Sequence, residues 1–443
     1  MKDELVNALT KSPYESYVYS YPHKMAYRPL NPSRNLEGVW SEEKKDALFL
    51  YVHIPFCEMR CGFCNLFTTA KPKENVRAPY ASIVRDHAQE VAQALGEERQ
   101  FSRVAIGGGT PTQLDLGALT SVLQTIVEVM GADMKNIPCV SEMSPETVTR
   151  EKLELLKNTG VDRASIGIQS FIESETQALR RPQKLSVARQ ALDLIGEVGF
   201  DTLNIDLIYG IAGQTDASWL FSIEEALKYN PEELYLYPLY VRPLTGLGNS
   251  KKQWEDRRLA LYRLGRHRLL EEGYEQVSMR MFRKLSSSEK VSSPPIYRCQ
   301  EDGMVGIGVG ARSYTKDLHY CTEYAVGRKS VLGILEDYVE RERASFSFAD
   351  FGIALSVEEQ MRRYFSLSLL SFEGFSNAHF SQRFPDSVFP FLEELKILQD
   401  LDLIYMDVDR LKLSASGMEN SDVIGPWLFS KQVRHLVQEY ALR

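Results

Sequence analysis

Tyr51-Val-His-Ile-Pro-Phe-Cys57-Glu-Met-Arg-Cys61-Gly-Phe-Cys64 gathers three of the six cysteines within eight residues, directly after the apolar run LFLYVHI at 48 to 54. A run this short and almost continuously hydrophobic is expected to form a strand covered on both faces. The cysteines then lie on the loop at its carboxyl end. Their spacing, C-x3-C-x2-C, is not followed by the second C-x2-C or His pair that a structural zinc site uses. A disulfide framework is disfavoured for three clustered thiols in a chain that reads as cytoplasmic. Three thiolates on one tight loop suit an iron-sulfur cube with its fourth iron open, with zinc or accidental buried cysteines as the alternatives. Cys139, Cys299 and Cys321 are scattered and read as ordinary core thiols.

Outward from this loop, similar apolar runs recur as RVAIGG (103 to 108), PCVSEM (138 to 143), RASIGIQ (163 to 169), TLNIDLIY (202 to 209) and ELYLYPL (233 to 239). Amphipathic stretches separate them: one has Pro79 near its first turn and carries Ile83, Val84, Val91 and Leu95 on one face. Ser186 is expected to cap another. Alternation of this kind predicts six parallel strands in an α/β fold. One local device repeats, in NTGVDRASI (158 to 166), EVGFDTLNI (197 to 205) and EEGYEQVSM (271 to 279). Each reads as a helix end, a left-handed glycine, an apolar residue packing back, an acid and a strand. The repeat predicts a partial (β/α)6 barrel of the TIM type, with an open doubly wound sheet as the competing layout. Three regions are expected: an arm or substrate flap over 1–45, a barrel over 46–344, and a helical, winged-helix-like domain over 345–443, where LIYMDV and DRLKLSA form a hairpin.

In the 443-residue chain, 52 Lys and Arg against 60 Asp and Glu leave a net charge of −8, and 44% of residues are hydrophobic. This composition belongs to globular proteins, and its acidic balance without basic runs argues against a nucleic-acid partner. The longest uncharged apolar stretch, Ala47 to Cys57, is too short to span a membrane. With neither a secretory nor a transit signal at the N-terminus, a cytoplasmic location is expected.

The cysteine loop, with Phe63 before its third cysteine, resembles that of radical S-adenosylmethionine (SAM) enzymes. The match is specifically to the HemN-like family of oxygen-independent coproporphyrinogen III oxidases. It continues in order through AIGGGTPTQL (105 to 114), SEMSPETVT (141 to 149), RASIGIQSF (163 to 171), Arg181, NIDLIYGIAGQT (204 to 215) and GIGVGARSY (306 to 314). The resemblance implies that Cys57, Cys61 and Cys64 bind a [4Fe-4S] cluster whose fourth iron takes the amino and carboxylate groups of SAM. Tyr51, Gly108, Glu142 and Arg312 match positions lining one SAM site. Phe63, Gly109, Thr110, Gln169, Arg181, Asp206 and Tyr240 match a second. Tyr51 and Tyr240 are the candidates near the reacting atoms. Arg312 and Tyr240 differ in type from the oxidase residues.

The family reaction begins with one-electron cleavage of SAM to methionine and a 5′-deoxyadenosyl radical, which takes a hydrogen atom from carbon. A flavodoxin or ferredoxin is the implied electron donor, and a small aromatic or tetrapyrrole molecule the implied substrate. The oxidase has a further cysteine two residues after the third, where this chain has Leu66, and only Arg28 suggests itself for its N-terminal arginine. The balance therefore falls on methyl or methylene transfer to an sp2 carbon using a second SAM, with oxidative decarboxylation of porphyrinogen propionates as the alternative. A different class, the heme chaperone HemW, shares the barrel. Its HNxxYW segment has no counterpart in SSPPIYRCQEDGMVGIGVGA, which lacks His and Trp.

Overall fold

The computed structural model describes residues 1–250, 255–284 and 297–441. One thirteen-stranded sheet organises it. In chain order its strands are β1 (Arg28–Asn35), β2 (Leu48–Ile54), β3 (Phe101–Gly108), β4 (Cys139–Met143), β5 (Arg163–Gln169), β6 (Thr202–Tyr209), β7 (Glu233–Pro238), β8 (Tyr274–Gln276), β9 (Met281–Lys284), β10 (Met304–Ile307), β11 (Arg312–Tyr314), β12 (Leu318–Cys321) and β13 (Phe348–Ala354). The spatial order is β1-β13-β12-β11-β10-β2-β3-β4-β5-β6-β7-β9-β8. The six expected strands, β2 to β7, are consecutive neighbours and parallel throughout. This unbroken order is that of a partial barrel; a doubly wound sheet would reverse at a switch point.

Alternation along β2 shows how the two faces divide. Leu48, Leu50, Val52 and Ile54 are buried in the main core with Val84, Ala88, Val91 and Leu95 of the helix Tyr80–Leu95. By the two-residue period, Phe49, Tyr51 and His53 face the concave lumen. Gly160, Gly199 and Gly273, read from sequence as left-handed helix stops, have φ of +117°, +75° and +80°. Ser186 lies in the first turn of the helix Leu185–Val198, whose N-cap is Lys184, so it does not cap. The acid in the repeated device caps a strand in one case: Asp162 accepts from the Cys139 N–H at 2.5 Å.

Segments from both ends of the chain contribute strands to the barrel sheet. The arm is not one element: the helix Lys2–Lys11 buries Leu5 in the C-terminal core, whereas β1 pairs antiparallel with β13. β13 in turn joins residues 348–354 to the barrel sheet, although FADFGIA continues into helical text. Neither join has a local signature, because β1 reads RPLNPSRN, mostly exposed, and meets its partner across more than 300 residues. The C-terminal hairpin forms as expected, Ile404–Asp407 against Arg410–Leu413, beside the helix Leu392–Asp400. Among the described residues no helix is long and apolar enough to cross a membrane.

The glycine stops make a direct test. A Cβ at Gly160 would lie 2.6 Å from the Met134 carbonyl, on top of its positive φ. Gly160→Ala should lower stability by about 1–3 kcal/mol. Gly196, inside the helix Leu185–Val198, has open space around its Cβ position, so Gly196→Ala should add about 0.5–1 kcal/mol. Thermal melts of the two variants should shift in opposite directions.

Candidate functional site

The parallel register of β2 and β3 pairs His53 with Gly107 and Ile54 with Gly108, so the strands end together. The pairing continues past both strands: Gly109 N–H donates to the Ile54 carbonyl and Thr110 N–H to the Phe56 carbonyl, each at 2.7 Å. A Cβ at Gly109 would stand 2.6 Å from the Phe56 oxygen and 3.0 Å from Cys57 Sγ. Only glycine admits this approach of the β3 backbone to the cysteine loop. The far side of the loop is pinned by Gly62, whose N–H donates to the Leu179 carbonyl at 2.9 Å and whose carbonyl accepts from Leu247 N–H at 2.6 Å.

Cys57, Cys61 and Cys64 are free, half-buried and share one cavity of about 170 Å³ at the carboxyl ends of the strands. Burial pushes the Cys57 thiol up to about 12. Burial also raises Cys61, but Arg181 opposes it, with Nη1 3.7 Å from the sulfur. Arg181 is itself oriented by donating Nη2 to the Gly167 carbonyl at 2.8 Å. Among the described residues no three His, Cys, Asp or Glu side chains converge as a single-ion site requires.

The same cavity is lined by Phe63, Gly108, Gly109, Thr110, Glu142, Gln169, Arg181 and Asp206, eight of the residues expected at a SAM site. Glu142 Oε2 accepts from Gly108 N–H at 3.0 Å. Its side chain lines the cavity, where desolvation pushes its carboxyl up against the pull of the Gly108 N–H. Asp206 is raised to about 7 by burial, against the pull of Asn204, whose Nδ2 donates to it at 2.8 Å. Gln169 holds φ of +71°, an unfavourable value for a non-glycine residue, at the end of β5. Strain of this kind concentrates at sites where the surroundings fix a side chain.

Three expected residues stand outside this cavity lining. Tyr51 lies next to it: its hydroxyl meets His53 Nδ1 at 3.3 Å, and Glu142 acts on its phenol. Tyr240 instead donates to Asp422 of the C-terminal region and accepts from Arg280 at 2.8 Å. Arg312 donates to Ser20 Oγ at 3.2 Å and lies beneath the Tyr19 ring. Both had been matched to positions where the oxidase has other residue types. Arg28 donates to three main-chain carbonyls, at residues 25, 27 and 436. The loops over 242–254 and 284–300, which would shape a substrate pocket, lie partly outside the described residues. So does much of the stretch where a heme-binding segment would stand.

Sequence pattern alone assigns His53 no role. Its Nε2–H donates to the Phe67 carbonyl at 2.9 Å, leaving Nδ1 to accept from Tyr51. Burial holds the ring neutral, with its pKa lowered to about 4. A Cβ at Gly108 would overlap this ring, at 2.4 Å. The available signal was period: His53 is two residues after Tyr51 and shares its face.

The radical SAM superfamily model matches residues 51–226, and the HemN C-terminal domain model matches residues 355–419. The heme chaperone HemW of Bacillus subtilis is 25% identical over 395 residues, spanning 85% of this chain and 98% of its own length. The oxygen-independent coproporphyrinogen III oxidase of Helicobacter pylori strain J99 is 26% identical over 395 residues, 84% of this chain and 82% of its own. Among solved structures, coproporphyrinogen III oxidase (HemN) from Escherichia coli superposes with a TM-score of 0.79 at 22% identity. That superposition covers 94% of this chain and 99% of the other, which establishes the fold.

The Asp206 carboxyl gives a pH signature. Its folded-state pKa is raised, so its contribution to stability is fully present below the usual carboxylate range and is lost as pH rises through about 7. Asp206→Asn should flatten the fall in melting temperature of the cofactor-free protein between about pH 4 and 8. Parallel slopes for wild type and variant would refute the assignment.

Proposed function

The chain is a HemN-like member of the radical SAM superfamily, and on that premise we propose that it is an enzyme acting by hydrogen-atom abstraction on a carboxylate-bearing aromatic or tetrapyrrole substrate in the barrel lumen. Its cofactors are a [4Fe-4S] cluster and SAM. When bound, these supply homolysis of an unactivated C–H bond, chemistry that no side chain performs.

The single observation that carries this reading is the shared cavity of Cys57, Cys61 and Cys64 with Glu142, Arg181 and Asp206. The residues present fit the group. Three free thiols face one space, Arg181 favours the thiolate of Cys61, and the glycine backbone at 109 leaves room where any side chain would intrude. Glu142 would hold the ammonium of SAM, and Asp206, itself held by Asn204 Nδ2, would accept from its sugar hydroxyls. Tyr51, oriented by neutral His53, would border the substrate. The tyrosines of β7, Tyr235 and Tyr237, stack at 5.7 Å and extend an aromatic wall into the lumen.

Oxidative decarboxylation is supported by the relatives of matching length named as coproporphyrinogen III oxidases, and methyl transfer draws no support from them. One observation favours methyl transfer as a second reading. Leu66, at the position of the oxidase's additional cysteine, lines the cavity and is 47% exposed.

Anaerobic reconstitution with iron and sulfide, followed by SAM and reductant, should yield 5′-deoxyadenosine from wild type and only background from Cys57→Ala. Glu142→Gln should raise the SAM concentration needed for half-maximal cleavage on the order of tenfold, the loss of one charge-assisted contact. Carbon dioxide released from coproporphyrinogen III marks the oxidase reaction. S-adenosylhomocysteine formed with an aromatic acceptor marks methyl transfer. No deoxyadenosine from wild type, or equal amounts from Cys57→Ala, would overturn the proposal.

A further inference from the structure

The cations around the barrel mouth are not equivalent. Arg280 is spent on Asp422 at 2.5 Å, with both side chains 2% exposed. Arg28 is spent on main-chain carbonyls. Lys24 and Arg312 differ, since among the described residues neither forms an ion pair. Lys24 Nζ lies 3.7 Å from the Tyr324 ring centroid, and the Arg312 guanidinium 4.6 Å from that of Tyr19. Aromatic faces hold a cation in place without cancelling its charge.

The two cations come from different elements, Lys24 from the arm and Arg312 from β11, yet they act on the same groups. Burial alone would raise the Tyr19 phenol, but Arg312 and Lys24 bring it below its usual value. Burial, Lys24, Arg312 and Arg242 together keep His23 neutral, lowered to about 3. Both cations also bear on His53, whose ring borders Gly108 in the cluster cavity. No carboxylate is among the principal groups acting on Lys24, Arg312 or His23. Tyr19, whose ring lies against Arg312, is itself 37% exposed, so this cluster is not sealed from solvent. Two desolvated like charges held together without a counter-charge are costly. A ligand anion between them removes that cost.

We infer that Lys24 and Arg312 clamp a carboxylate or phosphate group of the substrate between the arm and the barrel, on the lumen side of His53. This deepens the reading of the lumen as the substrate site and rests on it. The clamp fixes the end of the substrate remote from the reacting carbon, so Lys24 and Arg312 are positioning residues. Because one cation is on the arm and the other on the barrel, the anion also bridges the two.

The test is binding to the reconstituted full chain without SAM. The probes are coproporphyrin III, its uncharged tetramethyl ester, and inorganic pyrophosphate. Wild type should bind at least one anionic probe, and added salt should weaken that binding. The double variant Lys24→Gln/Arg312→Gln should bind it at least about tenfold more weakly, with ester binding unchanged. Lys24→Arg/Arg312→Lys should restore affinity, which separates lost charge from lost folding. Preference for coproporphyrin III assigns a carboxylate, and preference for pyrophosphate a phosphate; either supports the clamp. Equal anion affinity in wild type and the Gln double variant, or no anion binding by wild type, overturns it. So does a Gln variant that loses affinity for SAM alone. The readout needs no SAM cleavage, so failure of the clamp and failure of the radical assignment are separate results.

Discussion

The site depends on the lateral contact between the end of β3 and the cysteine loop. Two N–H groups, at Gly109 and Thr110, continue the parallel ladder past the strand and onto the loop backbone, with Cys57 Sγ beside the missing Cβ of Gly109. A loop carrying three thiols would otherwise have many conformations, and a multidentate ligand site needs one. Hydrogen bonds of the sheet supply that restriction at little additional entropy cost, because the strands are already ordered. Gly62, bonded on both its N–H and C=O to residues 179 and 247, completes the restraint from the opposite side.

What surrounds the loop is polar in an ordered way. Toward the strand ends lie Glu142 and Asp206, the latter with an ionisation close to neutrality. Toward the arm lie Lys24, Arg312 and neutral His23. The two carboxyls thus stand beside Arg181 at the cysteine-loop end, and Lys24 and Arg312, without ion-pair partners among the described residues, at the arm end. The net charge of −8 averages away this arrangement.

The barrel strands were legible because each is a short apolar run. Gly160 and Gly199 mark the helix ends before two of them by a conformation other residues avoid, and Gly273 does so before the edge strand β8. The cysteines and most cavity-lining residues were legible because they follow strand ends, where a parallel sheet collects ligands. The rest was illegible for physical reasons. The pairing of β1 with β13 joins residues more than 300 positions apart, and β1 has neither the hydrophobicity nor the β-branched content of a strand. Tyr240 and Arg312 were matched by position, but their partners Asp422 and Tyr19 come from regions outside the barrel. The role of His53 depends on its two ring nitrogens bridging Tyr51 and the Phe67 carbonyl, contacts that sequence spacing does not contain.

The arm is held at both ends, by the helix Lys2–Lys11 with Leu5 buried in the C-terminal core and by β1 at the edge of the sheet. The intervening segment, with Tyr17, Tyr19 and Lys24, is thus a bridge between two anchors. A free tail of that length would lose conformational freedom at every residue each time it settled over the lumen. A bridge has already met the closure cost on folding, and that cost grows only with the logarithm of its length. Any displacement of the segment is then a change among a few bowed shapes of one closed span, tied at one end to the C-terminal core and at the other to the edge of the barrel sheet.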